Sequence, residues 1–577
     1  MRKLFCYLKG YGRECILSPL FKLTEALLEL LVPLVVAGII DEGIAHSDAG
    51  YIVWNCLLLV GLGLLGLGFS VTAQYFAARA AVGFGEKVRA ALFRHISRLP
   101  VAELDRLGTA TMITRLTSDT NQVQSGVNMT LRLLLRSPFV VFGAMIMAFI
   151  IDVRSAMIFV LAIPVLSVVV FGIMLLCIPL YQKVQSRLDR VLGLTRENLS
   201  GARVIRAFGR EEEESRLFRE SNERLTSVQK LVGRISALMN PLTYILINLA
   251  ILWLIYEGAL RVQSGILTQG MVIALYNYMS QILVELVKLA SLIILMTKSV
   301  ACGNRVAAVL AIDAEQVEGK TVPEPVAGAP AVCFRNVSFR YRGAAGPALQ
   351  GVNLEVLHGQ TVGVIGGTGS GKSTLINLLW RAYDVTEGEI LLDGRDLREY
   401  PLRDLRARIG LVPQKAELFR GSIRDNLQYG NPSASDGDLW EALRVAQAES
   451  FVREKPGGLD GMCEAGGRNF SGGQRQRLTI ARALCRRPSV LILDDSASAL
   501  DFATDAALRR SIRELPYAPT VFVVSQRAST LRHADCILVL DDGHVAGAGT
   551  HEELMRDCEV YREIYESQYR KEDGIHG

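Results

Sequence analysis

The sequence predicts a multi-domain membrane protein in which an all-α domain of six transmembrane helices precedes an α/β domain. Three observations lead to this prediction: six long apolar stretches, two long basic connections between them, and a change to a soluble α/β composition beyond about residue 315. The 577-residue chain is 50% apolar and 21% charged, with a mean hydropathy of +0.27, which is high for a soluble enzyme and excludes a disordered chain. We expect one domain over residues 1–315 and a second over residues 316–577.

Each apolar stretch of the first domain is long enough to cross a bilayer as a helix, which takes about 20 residues for about 30 Å of hydrocarbon. The stretches cover residues 16–41, 52–76, 127–151, 155–180, 237–260 and 271–297. No small-residue cleavage site interrupts the first, so we interpret it as a span and not as a signal peptide. Buried helices of a large soluble protein are the alternative, which the recurrence of six such runs disfavours.

The connections between the spans alternate between short and long. Residues 77–126 and 181–236 form the two long connections, which hold 19 lysines and arginines against two in the three short ones. By the positive-inside rule, the long connections and the amino terminus lie in the cytoplasm. Segments such as 86–93 and 187–192 lack glycine and proline and mix apolar with charged residues, so the helices should extend well past the bilayer.

Ionisable side chains inside the spans mark a candidate translocation cavity, because such groups need partners or water. Five of them are the candidates: Glu25, Glu29, Glu257, Glu285 and Lys288. Glu285 and Lys288 are three residues apart and can pair on a helix. The functional interpretation is a polar cavity that favours cationic cargo. The alternatives are bonding between helices and snorkelling near a membrane interface.

A glycine-rich loop in the second domain has the pattern of a phosphate-binding loop. The apolar strand 361–365 runs into a segment that fits GxxxxGK[ST] and then into a predicted helix. Its glycines let consecutive N–H groups converge on phosphate at the positive end of that helix. We expect Lys372 to reach the β- and γ-phosphates and Ser373 to ligate Mg²⁺. The segment consists of Gly366, Gly367, Thr368, Gly369, Ser370, Gly371, Lys372, Ser373 and Thr374.

Two further motifs point to the same chemistry. A second apolar strand, residues 490–493, ends in Asp494, and an acidic residue at this place holds Mg²⁺ through water. Between the two strands, two glycines open a helix whose amides, together with the Ser471 hydroxyl, are suited to bind phosphate. This motif consists of Ser471, Gly472, Gly473 and Gln474.

On these motifs the chain resembles the ATP-binding cassette (ABC) exporters, specifically a half-transporter with a type IV membrane domain ahead of the nucleotide-binding domain. The resemblance covers essentially all 577 residues, and the Ser471–Gln474 signature together with the phosphate loop is highly specific to that superfamily. It implies ATP and Mg²⁺ as ligands. It also implies that Tyr341 stacks on adenine, and that Gln414 senses Mg²⁺ as one of its ligands and contacts the membrane domain.

The resemblance further implies how two such chains work together. Two nucleotide-binding domains close head-to-tail, so that each ATP lies between the phosphate loop of one chain and the signature of the other. Asp501 is then part of a loop that crosses the interface. Segments near 105–109 and 201–209 resemble the coupling helices that link membrane and nucleotide-binding domains.

Two positions depart from the family pattern at the catalytic site. Asp495 stands where the family has its catalytic glutamate, and Gln526 stands where it has the switch histidine. Aspartate is shorter by about 1–1.5 Å of reach, and a misplacement near 1 Å costs about a hundredfold in rate. Glutamine keeps its hydrogen bonds but cannot become cationic. We therefore expect this chain to bind ATP and hydrolyse it weakly, while its intact signature completes the site of a second, different half-transporter.

The function that these observations favour is ATP-driven efflux of amphipathic small molecules, of the multidrug type, across a bacterial cytoplasmic membrane. Alternatives on the same scaffold are a homodimeric exporter with slow hydrolysis, a transporter of lipids, lipid-linked molecules, siderophores or peptides, and an ATP-gated channel or regulator. A leader-peptide protease domain has no room ahead of Ile16. The absence of a dense basic stretch argues against nucleic acid as a partner, and the ten cysteines form no CxxC pair that would indicate zinc or a disulfide framework.

Overall fold

The computed structural model describes residues 2–313, 316 and 318–573, and the chain forms two compact units. One unit comprises residues 1–99 and 107–314, and the other comprises residues 100–106 and 315–577. The predicted fold class, six apolar helices followed by an α/β domain, is confirmed. Residues 100–106 group with the second unit, and not with the membrane domain where the sequence placed them, because within that unit Asp105 accepts a hydrogen bond from Tyr383.

The membrane unit contains six helical spans, each longer than the apolar stretch that predicts it. The second and the fourth span have 48 residues each, about 72 Å at 1.5 Å per residue, which exceeds the thickness of the hydrocarbon more than twofold. Of the two predicted coupling segments, the first is the helix Val101–Leu107, earlier than expected, and the second contains the helix Ala202–Ala207. The spans are Gly12–Ile44, Ala49–Ile96, Thr109–Ile151, Val153–Ser200, Glu211–Gln263 and Gln269–Leu310.

The short connections fix where three of the spans begin. Asp48, Asp152 and Thr268 each precede the first residue of a helix in extended backbone. Their side chains accept hydrogen bonds from N–H groups three residues later, at 3.0, 2.7 and 3.4 Å. Such N-caps satisfy donors that have no partner inside the helix, and each is worth about 1 kcal/mol.

A buried ion-pair network joins the first, third and sixth spans. The Arg136 guanidinium donates to the Glu285 carboxylate and to the Glu29 carboxylate, at 2.6 Å in both cases. Glu285 also accepts hydrogen bonds from Ser137 at 2.8 Å and from Lys288 at 2.9 Å. The side chains of Arg136 and Glu285 are only 8% and 4% exposed. Because charges removed from water need partners, these four contacts allow the pair to lie inside the helix bundle.

Each of the candidate cavity residues is therefore engaged in an ion pair. Glu25 pairs with Lys22 at 2.5 Å, and Glu257 pairs with Arg154 at 3.0 Å. Together with the network around Glu285, these contacts favour the interpretation of bonding between helices. A cavity role stays a prediction, and it is best retained for Glu29, whose side chain is 41% exposed.

The second unit contains three β-sheets. A six-stranded sheet has the order β12-β11-β3-β10-β9-β6, with parallel pairing except between β11 and β12, and an antiparallel sheet has the order β2-β1-β4-β5. β7 and β8 form a short hairpin-like pair. The strands are β1 Val332–Phe339, β2 Leu349–Val356, β3 Thr361–Gly366, β4 Glu387–Leu392, β5 Arg395–Asp396, β6 Ile409–Val412, β7 Gly421–Ser422, β8 Met462–Cys463, β9 Val490–Asp494, β10 Thr520–Val524, β11 Cys536–Asp541 and β12 His544–Gly549.

Helices cover the six-stranded sheet, as near-continuous apolar parallel strands require. Ile492 and Val364 face one apolar core with β1 and β2, whereas Leu491 and Leu493 face a second core with the remaining helices. These cores hold the carboxyl ends of the parallel strands in place. The helices are Lys372–Leu379, Leu402–Arg408, Ile423–Gln428, Asp436–Val445, Glu449–Glu454, Gly472–Leu484, Phe502–Arg513, Ala528–Leu531, His551–Asp557 and Glu559–Asp573.

Glu285→Gln tests the buried network. The substitution leaves the Arg136 charge without its buried counter-ion, and we expect a loss of stability of about 3–5 kcal/mol. The measurement is the thermal unfolding of the detergent-solubilised protein, followed by the fluorescence of its membrane domain. The matched control is Arg154→Gln, which breaks an ion pair whose arginine is 74% exposed and should cost about 1 kcal/mol or less. If both substitutions lowered the stability equally and only slightly, the expected contribution of the buried network to stability would be contradicted.

Candidate nucleotide-binding site

The central parallel strands bring the candidate catalytic residues to one edge of the sheet. Val524 of β10 pairs with Val364 of β3 on one side and with Asp494 of β9 on the other. The residues that follow these three strands therefore lie side by side, as is usual for ligand sites of open parallel sheets. They surround a cavity of about 180 Å³ that is lined by Thr368, Gly369, Lys372, Ser373, Gln414, Asp494, Asp495, Val524, Ser525 and Gln526.

The phosphate loop lies where the sequence predicted it, between β3 and the helix Lys372–Leu379. Gly371 precedes the helix at φ +102°, and a Cβ atom there would lie 2.8 Å from the Ala348 carbonyl oxygen, so only glycine fits without strain. The Lys372 ammonium folds over the loop and donates to the carbonyl oxygens of Gly366 at 2.9 Å and Gly367 at 2.6 Å. Burial lowers the pKa of Lys372, while the nearby Asp494 opposes that change. The ammonium is thus desolvated and positioned to bind an anion.

Asp494 is a partly buried carboxylate whose surroundings suit the binding of a metal cation. Burial raises its pKa, the neighbouring Asp495 raises it further, and Lys372 lowers it. Ser373 and Gln414 line the same cavity, so the available ligands are oxygen atoms, which Mg²⁺ prefers. In the part of the chain that the structure describes, no three His, Cys, Asp or Glu residues come together to hold a metal. Mg²⁺ would therefore keep water and phosphate oxygens among its ligands, as is common at nucleotide sites.

Asp495 is held in an unusual backbone conformation. Its φ is +45°, in the left-handed region, and its N–H donates to the Val524 carbonyl at 3.0 Å. The Asp495 carbonyl oxygen accepts hydrogen bonds from the N–H of Ser498 at 3.2 Å and from its hydroxyl at 2.8 Å. The Asp495 carboxylate lies 3.4 Å from the Gln414 amide nitrogen, a weak hydrogen bond. Gln526 lines the same cavity and is exposed.

Tyr341 is fixed beside the phosphate-loop helix. Its hydroxyl is 3.1 Å from the Thr374 hydroxyl, and its ring packs edge-on against Phe339 and Tyr383, with ring centroids 4.8 and 5.4 Å away. Edge-on packing of this kind is a favoured arrangement of aromatic rings and fixes the orientation of the Tyr341 ring. This placement is compatible with stacking on adenine, which stays a prediction.

The signature forms a second region, apart from the phosphate-loop cavity. Ser471 caps the helix Gly472–Leu484 through a reciprocal pair of hydrogen bonds with Gln474, at 3.3 and 3.0 Å. Gly472 lines a larger cavity of about 810 Å³, which shares Gln414 with the phosphate-loop cavity. A Cβ atom on Gly472 would meet nothing within 4 Å, whereas one on Gly473 would lie 3.1 Å from the Ala499 carbonyl oxygen.

Asp501 has a local structural role in this chain. It caps the helix Phe502–Arg513, accepting from the Thr504 N–H at 2.9 Å and from the Thr504 hydroxyl at 2.8 Å. These bonds lower the pKa of Asp501 and keep its carboxylate ionised. They also fix the loop that precedes the helix. A role across a dimer interface stays a prediction.

Comparison with known protein families agrees with the geometry. Residues 15–286 match the transmembrane region of ABC transporters, and residues 349–498 match the ABC transporter domain. The chain belongs to the ABC transporter family. The membership accounts for both units and implies ATP binding, for which Mg²⁺ is generally required.

Several relatives match this ABC transporter along nearly its whole length. An uncharacterized ABC transporter ATP-binding protein of Mycobacterium tuberculosis is 38% identical over 566 residues, with 97% of each chain covered. The ATP-dependent lipid A-core flippase of Escherichia coli is 32% identical over 544 residues, with 94% of this chain and 92% of the flippase covered. A bacterial Atm1-family ABC exporter solved with ATP bound superposes with a TM-score of 0.82 at 24% identity, covering 96% and 99% of the two chains. The type IV exporter fold is thereby confirmed.

Two features of this ABC transporter were missed by the sequence reasoning. Ser525 lines the nucleotide cavity, and its position directly after β10 was a usable signal. Arg136 was overlooked although it lies inside the apolar stretch 127–151, because its partners lie 107 and 149 residues away. Such pairing has no local signal in the sequence.

Asp494→Asn tests the metal role of this carboxylate. We expect the affinity for an ATP analogue in the presence of Mg²⁺ to fall about ten- to a hundredfold, since residues that hold a metal through water have effects of this size. Fluorescence titration with trinitrophenyl-ATP measures it. In the presence of EDTA, the variant and the unmodified protein should bind alike. The control Asp541→Asn changes an exposed carboxylate at the end of a neighbouring strand and should leave both affinities unchanged. An affinity lost equally with and without Mg²⁺ would contradict the metal role.

Proposed function

We propose that this chain is one half of a heterodimeric ABC exporter, which holds ATP in its own phosphate loop and hydrolyses it weakly. The observation that supports this most directly is the locked backbone of Asp495. The Asp495 N–H is bonded to Val524, and the Asp495 carbonyl oxygen is bonded to Ser498. The main chain therefore cannot shift toward the nucleotide to make up for a side chain that is one methylene shorter than glutamate. A carboxylate displaced by about 1 Å from a reacting water costs about a hundredfold in rate.

Gln526 is expected to lower the rate of hydrolysis further. A glutamine at the mouth of the cavity donates and accepts hydrogen bonds but carries no charge at any accessible pH, whereas a histidine becomes cationic beside a phosphate. The two substitutions lie at the same edge of the sheet, so both act on one bound nucleotide. The phosphate-loop groups themselves are complete, which favours tight binding without efficient turnover.

The residues at this chain's own nucleotide site have separate roles. Lys372 gives up its contacts with the loop carbonyls and binds the β- and γ-phosphates, while Ser373, Asp494 and Gln414 are placed to hold Mg²⁺ with its waters. When bound, the metal supplies neutralisation of the phosphate charge. Asp495 and Gln526 orient water poorly, so the closed state persists. Closure of the two nucleotide-binding domains then biases the membrane domain between its two orientations.

The signature of this chain serves the other site. Ser471 presents the first turn of its helix, and the space beside Gly472 is open to a depth of at least 4 Å from an added Cβ. A helix N-terminus with an open glycine suits a phosphate that approaches from a second subunit. We propose that the second subunit carries glutamate and histidine at the two departing positions and performs the productive hydrolysis.

For the cargo we propose amphipathic small molecules. The candidate cavity residues in the spans are each engaged in an ion pair, so they supply little free charge for binding a charged cargo. Apolar side chains then dominate recognition. A lipid is the second candidate, supported by the relationship to a lipid A-core flippase. The basic long connections support a cytoplasmic position for the amino terminus and the nucleotide-binding domain in a bacterial membrane.

The decisive experiment compares two substitutions in the complex isolated from its own membranes through a tag on this chain. In the proposed heterodimer, Asp495→Ala should change ATP turnover by about twofold or less, because this site contributes little. Gly472→Asp should lower turnover about a hundredfold or more, because an oxyanion in the open space repels the phosphate at the productive site. Steady-state phosphate release measures both.

The control is Gly346→Asp, at an exposed glycine whose added Cβ also meets nothing within 4 Å. Turnover should be unchanged, which shows that an added carboxylate is not harmful by itself. A complex with two copies of this chain, in which Asp495→Ala abolishes turnover as completely as Gly472→Asp does, would show a homodimer and end the proposal.

A further inference from the structure

The carboxyl-terminal helix Glu559–Asp573 is hydrogen-bonded to the loop that carries Gln526. The side-chain amide of Gln568 donates from its nitrogen to the Gln526 backbone carbonyl at 2.7 Å. Its oxygen accepts a hydrogen bond from the Ala528 N–H at 2.9 Å. One side chain thus bonds both a carbonyl and an N–H two residues apart, because its amide carries a donor and an acceptor on separate atoms.

The loop needs such support because regular structure ends on both sides of it. β10 ends at Val524, and the following N–H, of Ser525, makes one more bond to the Val364 carbonyl at 3.1 Å. The helix Ala528–Leu531 is a single turn, whose first N–H groups have no acceptor inside the helix. Gln568 provides the acceptor for the first of them. The loop between β10 and this turn is therefore pinned from outside the sheet.

Gln568 is itself firmly placed. Tyr561, Tyr565 and Gln568 follow one another at spacings of four and three, so they share one face of the helix. Tyr561 is completely buried, and its hydroxyl lies 2.8 Å from Nδ1 of His551. The Tyr565 ring lies 5.1 Å from the His551 ring. Tyr565 and Tyr561 fix the helix one and two turns before Gln568. Gln568 follows on the same face, at a position where an apolar residue would continue the buried surface.

We infer that Gln568 is a positioning residue, through which the carboxyl-terminal helix sets the place of Gln526 in the nucleotide cavity. This inference rests on the proposed function only in that residue 526 faces the bound nucleotide. An uncharged glutamine acts solely through the direction and length of its hydrogen bonds, so its effect depends on where its backbone is held. Gln568 does not touch the nucleotide and acts through the Gln526 main chain.

The first test measures the clamp directly, without nucleotide. In the full-length protein in lipid nanodiscs, Gln568→Leu keeps the bulk but removes both hydrogen bonds. Amide hydrogen exchange at Ala528 should accelerate about tenfold, the effect of one lost hydrogen bond of ordinary strength. Gln568→Glu retains the acceptor and should preserve most of the protection. The control Ser567→Ala removes an exposed hydroxyl that bonds only within its own helix, to Ile564, and should leave exchange unchanged.

The second test asks whether the clamp acts through residue 526. Affinity for trinitrophenyl-ATP is measured for Gln526→Ala, Gln568→Leu and the double variant. Both single variants should weaken binding severalfold, and the double variant should be no weaker than Gln526→Ala, because coupled residues are not additive. Additive losses would overturn the inference, since Gln568 would then act by another route.

The outcomes separate this inference from the proposed function. If Gln526→Ala leaves the affinity unchanged, residue 526 does not face the nucleotide, and both the assignment of the site and the positioning role fail. If Gln526→Ala weakens binding while Gln568→Leu changes neither exchange at Ala528 nor affinity, only the positioning role fails. An accelerated exchange with a coupled loss of affinity supports the inference.

Discussion

The register of three parallel strands is the constraint on which the nucleotide site depends. Val524 of β10 lies between Val364 and Asp494, so the chain leaves β3, β10 and β9 at one level of the sheet. A glycine-rich loop, two adjacent carboxylates and a glutamine, far apart in the sequence, are thereby gathered around one cavity of about 180 Å³. A shift of one residue in either pairing would turn Asp494 to the opposite face. The apolar cores on both faces of the sheet prevent that shift.

The same constraint explains why the two departures from the family pattern reinforce each other. Asp495 and Gln526 follow neighbouring strands. Main-chain hydrogen bonds to Val524 and Ser498 hold Asp495, and the Gln568 side chain holds the Gln526 carbonyl. Neither residue can move closer to the nucleotide without breaking those bonds. On our proposal that this chain hydrolyses ATP weakly, a deficit in side-chain length or charge is carried directly into the geometry of the reaction, where errors near 1 Å are costly.

The parts of the molecule that were predictable from the sequence are those whose defining residues lie close together along the chain. The apolar spans, the phosphate loop and Asp494 at the end of its strand can each be recognised from a segment of about twenty residues or fewer. The observed strand β9 differs from the predicted strand by one residue. The Arg136–Glu285 pair and the Gln568–Gln526 contact were not predictable, because their partners are 149 and 42 residues apart and meet only through packing. The pairing of Glu257 with Arg154 was hidden for the same reason, whereas Glu25 pairs with Lys22 only three residues away, a local pair that the sequence could have indicated.

The charge arrangement in the membrane domain bears on what the transporter recognises. Glu29, Arg136, Glu285 and Lys288 form two acid–base pairs with no net charge, and the most buried member, Glu285, has three hydrogen-bonding partners. A cargo cation that sought Glu285 would have to displace Arg136 and leave that guanidinium unpaired inside the bundle, at a cost of several kcal/mol. A cargo gains more by contacting apolar helix faces than by entering this network. The network thus holds three spans together, which agrees with our proposal that the shape and hydrophobicity of the cargo, with a contribution from the more exposed Glu29, determine selectivity.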